Sequence, residues 1–328
     1  MTGAPRQKVG DWVEVRPLAE ILATLDDDGA LDGMPFMPEM AAFVGRRFPV
    51  LKSAHKTCDP TGASELRRLP DAVHLATRCN GAAHDGCEAR CLLFWKRAWL
   101  KPVDGPTSGE AADAVVEAAD LERLRAATRQ AIPGGETRYR CQATEIVAAT
   151  APLPPSALRH LVDDVASGNV PPLAFVSETA RVATRAIVNT TLRLLRTDRS
   201  RFAAAPRSTA PAGKPKLDLA VGELVEVRPA EEILATLNDS GRNRGLSFEP
   251  EMLRHCGNAY RVAARISRII DEKSGRMITL ANDCIALEGV VCHGFDNRKR
   301  LFCPRSPYFY WREAWLRRVG GRAGADQT

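Results

Sequence analysis

The segment GDWVEVRPLAEILATL (residues 10–25) occurs a second time in the chain, as GELVEVRPAEEILATL (residues 222–237). Twelve of the sixteen positions are identical, and the alignment needs no gap. Nearer the other end of each copy, WKRAWLKPV (residues 95–103) matches WREAWLRRV (residues 311–319). The chain therefore contains a tandem duplication. We place the two repeats at residues 8–104 and 220–320.

Each repeat opens with a pattern that is typical of a half-buried strand. In DWVEVRP and ELVEVRP, apolar and polar residues alternate, as they do when one face of a strand is buried. AEILATL then has helical spacing and ends in a turn-rich segment. Several short apolar segments follow, and they predict further strands. Short strands with one small helical insertion favour a small SH3-like barrel.

The region between the repeats has a different composition. Its apolar residues recur at helical spacing, so residues 108–200 are predicted to be mostly helical. Residues 202–216 are rich in Pro, Ala and Ser and are predicted to be a flexible linker. The predicted fold class is α+β, with two tandem SH3-like small β-barrel repeats flanking a mostly helical central region.

Length, charge and hydropathy predict a cytoplasmic globular protein. The chain has 328 residues, 45% of them hydrophobic, and a net charge of +6. No apolar run reaches the roughly eighteen residues that a membrane-spanning helix needs. The N-terminal residues lack the apolar core of a secretory signal. In the cytoplasm thiols stay reduced, so the nine cysteines are expected to be metal ligands or reactive thiols.

One segment is especially rich in side chains that can bind a metal: CNGAAHDGCEARC (residues 79–91) holds three cysteines and a histidine. Structural zinc sites use four thiolate or imidazole ligands, brought together by short turns that glycines permit. The C-x7-C-x3-C spacing differs from the common C-x2-C turn, although the polar, glycine-rich context is typical of a site rather than of a core. The predicted metal ligands of the first repeat are Cys58, Cys79, His84, Cys87 and Cys91.

Other interpretations of the cysteines stay open at this point. Four thiolates, from Cys58, Cys79, Cys87 and Cys91, would suit an iron–sulfur cluster, although His84 slightly favours zinc. Cysteine can also act as a small buried hydrophobe or as a redox pair. Weaker metal or thiol candidates are Cys141 in the central region and Cys292 and Cys303 in the second repeat, where a degenerate or thiol-only site is expected.

A basic stretch raises the question of nucleic acid. Seven arginines and one acidic residue lie between Arg181 and Arg207. Part of this stretch is predicted to be a basic amphipathic helix. Such a helix could contact nucleic acid, a membrane surface or an acidic partner, but the simplest interpretation is a solvated arginine face. No hydrolase, ATPase or dinucleotide-binding motif stands out.

Several longer motifs resemble a family of uncharacterised bacterial proteins. They include KTCD (residues 56–59), the segment at 79–100, RYRCQATEI (138–146) and FCPRSPYFYWREAWL (302–316). The family has no assigned function, so the resemblance implies an architecture of two SH3-like repeats with Cys/His motifs. It implies that Cys58, Cys79, His84, Cys87, Cys91, Cys141, Cys292 and Cys303 are motif positions. The chain departs from the family pattern at residues 293–302, where the histidine expected before FCPR is absent.

The sequence therefore favours a cytosolic metal-binding protein, with zinc as the expected metal, that acts as a binding or assembly module. Its expected partner is a protein or a small molecule. A metal- or iron–sulfur-dependent enzyme of a bacterial biosynthetic pathway is the main alternative, so the sequence leaves enzymatic activity open. A nucleic-acid-binding protein is the second alternative.

Overall fold

The computed structural model describes residues 6–59, 66–106, 118–154, 158–194, 217–295 and 300–319, with side chains of the last central helix described up to residue 184. The chain divides into two compact units. Unit 1 comprises Met1–Ala180, Arg268–Ile278 and His293–Pro307; unit 2 comprises Arg181–Ser267, Thr279–Cys292 and Tyr308–Thr328. The fold class is α+β, with two half-barrel sheets.

The first repeat consists of short strands, one short α-helix and 3₁₀ turns. Its strands and helix are β1 (Trp12–Val15), α1 (Leu18–Leu22), β2 (Ala30–Leu31), β3 (Met34–Pro35), β4 (Arg47–Ser53), β5 (Lys56–Cys58), β6 (Leu66–Arg68), β7 (Ala72–Arg78), β8 (Leu92–Lys96) and β9 (Leu100–Pro102). The 3₁₀ helices are Pro38–Phe43, Ala82–His84 and Arg97–Trp99.

The central region mixes helices with short strands. The described elements are α2 (Ala118–Ala127), β10 (Arg129–Ala131), β11 (Thr137–Tyr139), β12 (Ala151–Pro152), α3 (Arg159–Ala166) and α4 (Pro172–Leu194). A mostly helical region stays a prediction, and the predicted linker at 202–216 lies outside the described residues. Across the described ranges, no helix combines the length and apolar character that crossing a membrane requires.

Among its described residues, the second repeat has the same strands, the same α-helix and two of the three 3₁₀ helices, in the same order. They are β13 (Leu224–Val227), α5 (Ala230–Leu234), β14 (Arg242–Asn243), β15 (Leu246–Ser247), a 3₁₀ helix (Pro250–His255), β16 (Ala259–Arg265), β17 (Arg268–Ile270), β18 (Met277–Thr279), β19 (Ile285–Val291), β20 (Tyr308–Trp311), a 3₁₀ helix (Glu313–Trp315) and β21 (Leu316–Arg318). The duplication seen in the sequence is therefore a duplication of structure, strand by strand.

Each repeat forms a five-stranded antiparallel sheet with the same topology. The strand order is β8-β7-β4-β1-β9 in the first repeat and β20-β19-β16-β13-β21 in the second. Val13 pairs with Phe48 of β4 and with Pro102 of β9, so β1 has a neighbour on both sides. The register shifts at Val50/Lys52 in one sheet and at the equivalent Val262/Ala264 in the other, so each sheet has an irregularity at the same place.

Alternation along the first strand explains how the core is built. Val13 and Val15 are buried, whereas Trp12 and Glu14, on the opposite face of the strand, are half-buried. Two tryptophans complete the core of each repeat. Phe36 packs edge-on against Trp99 with ring centroids 5.2 Å apart. The same contact recurs in unit 2, where Phe248 and Trp315 are 5.4 Å apart.

Two segments of the second repeat belong to unit 1. We name residues 268–278 the donated hairpin and residues 293–307 the donated loop. Lys56 donates a hydrogen bond to the carbonyl oxygen of Leu301 at 3.0 Å. Arg78 donates to the carbonyl oxygen of Ser306 at 3.1 Å. Unit 1 is therefore assembled from stretches that lie more than two hundred residues apart in the sequence.

Candidate metal centre

The cysteine-rich segment is the loop that joins β7 to β8. Its ends are held together because the Cys79 N–H donates to the Cys91 carbonyl oxygen at 2.9 Å. Gly81 has a φ of +72°, and a Cβ built there would lie 2.0 Å from the Cys87 carbonyl oxygen. No other residue type fits at this position without moving the backbone. The glycine therefore lets the loop fold tightly enough to bring Cys79 and His84 together.

Three donor groups converge in unit 1. One ligand atom from each of Glu39, Cys79 and His84 lies within 4.8 Å of the other two. Glu39 comes from the 3₁₀ helix Pro38–Phe43, which lies far from the loop in the sequence. Its Oε1 is 3.0 Å from His84 Nδ1 and 3.7 Å from Cys79 Sγ. A carboxylate, a thiol and an imidazole thus form one compact cluster.

The second ring nitrogen of His84 fixes its orientation. Nε2 lies 3.1 Å from the carbonyl oxygen of Arg140, which can only accept, so Nε2 carries a hydrogen. Nδ1 is therefore the ring nitrogen that faces Glu39 and Cys79. Metal-binding histidines commonly donate their other N–H to a backbone carbonyl or a carboxylate, which fixes the tautomer and ring orientation. The Arg140 carbonyl makes that contact.

Glu39 is buried, with 8% of its surface exposed, and its two oxygens differ in their surroundings. Oε1 accepts a hydrogen bond from the Ala83 N–H at 3.2 Å and lies 3.0 Å from His84 Nδ1. Oε2 is buried and has no hydrogen-bond partner among the described residues. Burial alone would raise the pKa of Glu39, but the hydrogen bond and charge of His84 outweigh it and lower the pKa. A buried, ionised carboxylate with an unsatisfied oxygen is costly unless a cation lies nearby.

The thiol of Cys79 is held in its neutral form. Burial raises its pKa, and the negative charge of Glu39 and the nearby Cys91 raise it further. A nucleophilic Cys–His pair needs the imidazole against the sulfur and a lowered thiol pKa. Here Glu39 Oε1 lies between the two groups and contacts both. The arrangement favours a cation site over a thiol nucleophile.

The other predicted ligands of this loop surround the cluster. Burial raises the pKa of Cys91 to about 12. The charge of Glu272 adds to this effect, Arg305 opposes it, and the nearby Cys141 and Cys87 raise the pKa further. Burial raises the pKa of Cys141 to about 11. Cys87 Sγ accepts a hydrogen bond from the Ile270 N–H of the donated hairpin at 3.4 Å. Among the described residues, the group close enough to share one cation is limited to Glu39, Cys79 and His84.

Cys58, predicted to join the loop cysteines, lies against Cys303 of the donated loop. The two thiols share a hydrogen bond, which is the largest influence lowering the pKa of Cys58 to about 6. The charges of Arg305 and Arg300 lower this pKa further. Arg305 is itself buried and donates to Glu272 at 2.7 Å. Cys58 and Cys303 thus form a thiol pair that is separate from the Glu39–Cys79–His84 cluster and lies near positively charged side chains.

The second repeat retains counterparts of two of the three cluster residues. Cys292 Sγ lies 3.8 Å from Glu251 Oε2, which is the counterpart of the Cys79–Glu39 contact. The alignment places no histidine opposite His84, and residues 296–299 of that loop lie outside the described residues. The sequence prediction missed Glu39, although PEM at residues 38–40 recurs at 250–252. A buried acidic residue repeated in both copies is the signal that would have identified it.

The predicted basic surface lies mostly beyond the described side chains. Of the seven arginines between residues 181 and 207, Arg181 alone has a described side chain. No protein-family model, curated protein or solved structure matches the chain. Functional inference therefore rests on the geometry of the chain itself.

Proposed function

We propose that this protein is a zinc-binding tandem-repeat protein in which Glu39, Cys79 and His84 hold the metal. The observation that carries the proposal is the convergence of these three ligand atoms within 4.8 Å. The unsatisfied Glu39 Oε2 supports it, because a cation would compensate a buried oxygen that otherwise lacks a partner. When bound, the ion would supply Lewis acidity and would cross-link the loop and the 3₁₀ helix.

The donor set favours zinc over an iron–sulfur cluster. Zinc accepts nitrogen, sulfur and oxygen ligands together, whereas clusters are held predominantly by thiolates. Cys58, one of the four thiolates that a cluster would need, is hydrogen-bonded to Cys303. Cys91 and Cys141 lie near Cys79 and are the candidates for a fourth zinc ligand.

We extend the proposal to the architecture of the repeats. Each sheet has five antiparallel strands, in which the first strand lies between the second and the fifth and a 3₁₀ turn precedes the fifth strand. This arrangement supports an SH3-like barrel, a fold that serves many binding functions. A binding or assembly module with a protein or small-molecule partner is therefore the function we favour. The cytoplasm, where thiols stay reduced, is the compartment that the proposal assumes.

Elemental analysis of paired variants tests the metal site. Full-length protein is purified anaerobically, and zinc, iron and sulfide are measured together with the visible absorption spectrum. We expect about one zinc per chain and no colour. Cys79→Ser should lose the zinc and lower the melting temperature, whereas Cys292→Ser, at the equivalent position of the second repeat, should retain both. Zinc retained in Cys79→Ser would refute the site. Iron and sulfide in the native protein would show that it binds an iron–sulfur cluster rather than zinc.

A metal-dependent enzyme is the second candidate, and one observation favours it. The cluster contains three protein donors, and catalytic zinc sites typically use three protein ligands and leave the fourth position open. Cobalt substitution distinguishes the two functions. An open position predicts that azide changes the visible spectrum of the cobalt protein. A spectrum that azide leaves unchanged, and that Cys91→Ser or Cys141→Ser alters, indicates a closed structural site.

A further inference from the structure

A second site lies elsewhere in unit 1, in a cavity of about 270 Å³ beside the hairpin formed by β5 and β6. Its volume is slightly below the roughly 300 Å³ at which pockets for drug-sized ligands begin, so it suits a small group. Charged side chains dominate its lining: Arg6, Arg68, Arg97, Arg159, Asp71 and Asp163.

Positive charge prevails in this cavity. Four guanidinium groups face two carboxylates, and Arg6 lies 4.0 Å from Asp71. Within the described part of the chain, Arg68 and Arg159 have no acidic partner within 4.0 Å. Guanidinium groups bind the oxygens of tetrahedral anions through paired N–H donors. The cavity therefore has the charge and the donors for a small oxyanion.

Arg97 is held in position before any ligand binds. Its side chain donates to the carbonyl oxygen of Gln7 at 3.2 Å, and its backbone N–H donates to the Asp71 carbonyl oxygen at 2.8 Å. Burial lowers the pKa of Arg97; the charge of Asp71 opposes this effect in part, and the charge of Arg6 adds to it. A cation that is partly removed from water and lies beside a second cation gains when an anion enters.

His55 adds a hydrogen-bond acceptor. Its Nε2 lies 3.3 Å from the His160 carbonyl oxygen and 3.2 Å from Asp164 Oδ1. The His160 carbonyl oxygen can only accept, so Nε2 carries a hydrogen, and Nδ1 offers a lone pair when the ring holds no second proton. Nδ1 is buried and has no hydrogen-bond partner among the described residues. A ligand that brings its own hydroxyl would satisfy it.

We propose that this cavity binds hydrogen phosphate, with the arginines contacting its charged oxygens and His55 Nδ1 accepting the hydrogen bond of its P–OH group. Near neutral pH, phosphate keeps at least one proton, whereas sulfate has the same shape and keeps none. The combination of guanidinium donors with one buried acceptor distinguishes the two anions. This site is independent of Glu39, Cys79 and His84, so either proposal can fail without the other.

Calorimetric titration of the full-length protein with inorganic phosphate, at constant ionic strength, tests the arginines. Arg68→Gln/Arg159→Gln removes two exposed cavity charges. Arg123→Gln/Arg242→Gln is the matched control, because it removes two exposed charges that do not line the cavity. We expect the cavity variant to bind phosphate about tenfold or more weakly and the control to bind within about twofold of the native protein. Equal binding by all three proteins, or absence of binding, would overturn the proposal.

Sulfate tests the role of His55 without a mutation. We expect sulfate to bind about tenfold more weakly than phosphate, because it cannot donate to Nδ1 and leaves that nitrogen unsatisfied. In His55→Ala the preference for phosphate over sulfate should disappear while some binding of both remains. Sulfate binding as tight as that of phosphate in the native protein would refute the assignment of hydrogen phosphate.

Discussion

Glu39 has different surroundings at its two carboxylate oxygens, and this asymmetry is central to the candidate metal centre. Oε1 accepts hydrogen bonds from the loop, while Oε2 is buried without a partner among the described residues. Glu251 occupies the equivalent position in unit 2 and also contacts a cysteine. The two residues provide a matched pair for mutation.

Glu39→Gln keeps the size of the side chain and removes its charge. We expect zinc affinity to fall by more than the roughly 10- to 100-fold loss that follows the removal of outer-shell partners. Glu251→Gln should leave zinc affinity unchanged, because its neighbourhood lacks the histidine. Competition with a chromogenic chelator measures both affinities. Equal losses in the two variants would contradict the assignment to the first repeat.

His74 should make stability depend on pH. Burial lowers its pKa to about 3, despite the 2.8 Å hydrogen bond between Nδ1 and the Leu93 carbonyl oxygen. Between that value and the ordinary value of 6.5, the unfolded state binds a proton that the folded state does not. The free energy of unfolding therefore decreases as the pH falls, by about 1.4 kcal/mol per pH unit from this residue.

Urea unfolding of the native protein and of His74→Phe at pH 7.5, 6 and 5 checks this expectation. The variant lacks the titrating group. As the pH falls below 6.5, the native protein should therefore lose free energy of unfolding relative to the variant. A stability difference that stays constant across the three pH values would indicate that His74 is not held neutral.

The residues of the candidate site differ in how far sequence could predict them. Cys79 and His84 lie five positions apart in one loop, so spacing alone suggested that they act together. Glu39 joins them through folding of the sheet, and sequence spacing carries no trace of that contact. Cys58 lies in a separate hairpin, where it pairs with a cysteine of the other repeat. Spacing shows which residues share a turn, whereas contacts between separate elements depend on how the chain folds.

At the scale of elements, the hairpin strand β5 is tied to helix α3 by a buried ion pair. Lys56 and Asp164 are fully buried and lie 2.5 Å apart. Burial lowers the pKa of Lys56 more than the charge of Asp164 raises it. Such pairs add little net stability, but removal of one partner leaves an uncompensated charge.

Asp164→Asn should therefore lower the free energy of unfolding by about 3–5 kcal/mol. The double variant Lys56→Met/Asp164→Leu should recover most of the loss, because it removes both charges. Glu20→Gln, which weakens the exposed pair with Arg16, should cost about 1 kcal/mol or less. Thermal and urea unfolding measure these values. A double variant no more stable than Asp164→Asn would contradict this account.

Strands were the elements that sequence predicted best. The alternation in DWVEVRP produces β1, and its repetition predicts β13. The short pairs β2–β3 and β14–β15 escaped prediction, because two-residue strands are too short for an alternation to be recognised. In the central region, β10 and β11 interrupt a helical pattern, since their pairing depends on a turn rather than on apolar periodicity.

At the scale of the whole molecule, unit 1 depends on the donated hairpin and the donated loop. The loop supplies the Leu301 carbonyl to Lys56 and the Ser306 hydroxyl to Lys52. The hairpin supplies Glu272, which pairs with Arg305 of the loop. Unit 1 is complete only when all these segments are present.

A chain that ends at residue 200 should consequently be less stable than the intact protein. It lacks both donated segments, so buried Lys56 loses an acceptor and Cys58 loses its partner. We expect hydrogen exchange at the amides of β4 and β7 to be at least about tenfold faster than in the full-length protein. Equal protection would mean that the first repeat and central region form a self-sufficient domain.

The donated loop also sets the order in which the protein can fold during synthesis. Chains emerge from the ribosome N-terminus first, and domains ordinarily fold as they appear. Here Lys56 cannot form its hydrogen bond until the carbonyl of Leu301, 245 residues later in the sequence, has been synthesised. Contacts of such long separation slow folding and leave unfinished surfaces exposed in the meantime. The first repeat is thus made early and completed late, because the nascent chain lacks this contact until Leu301 has been synthesised.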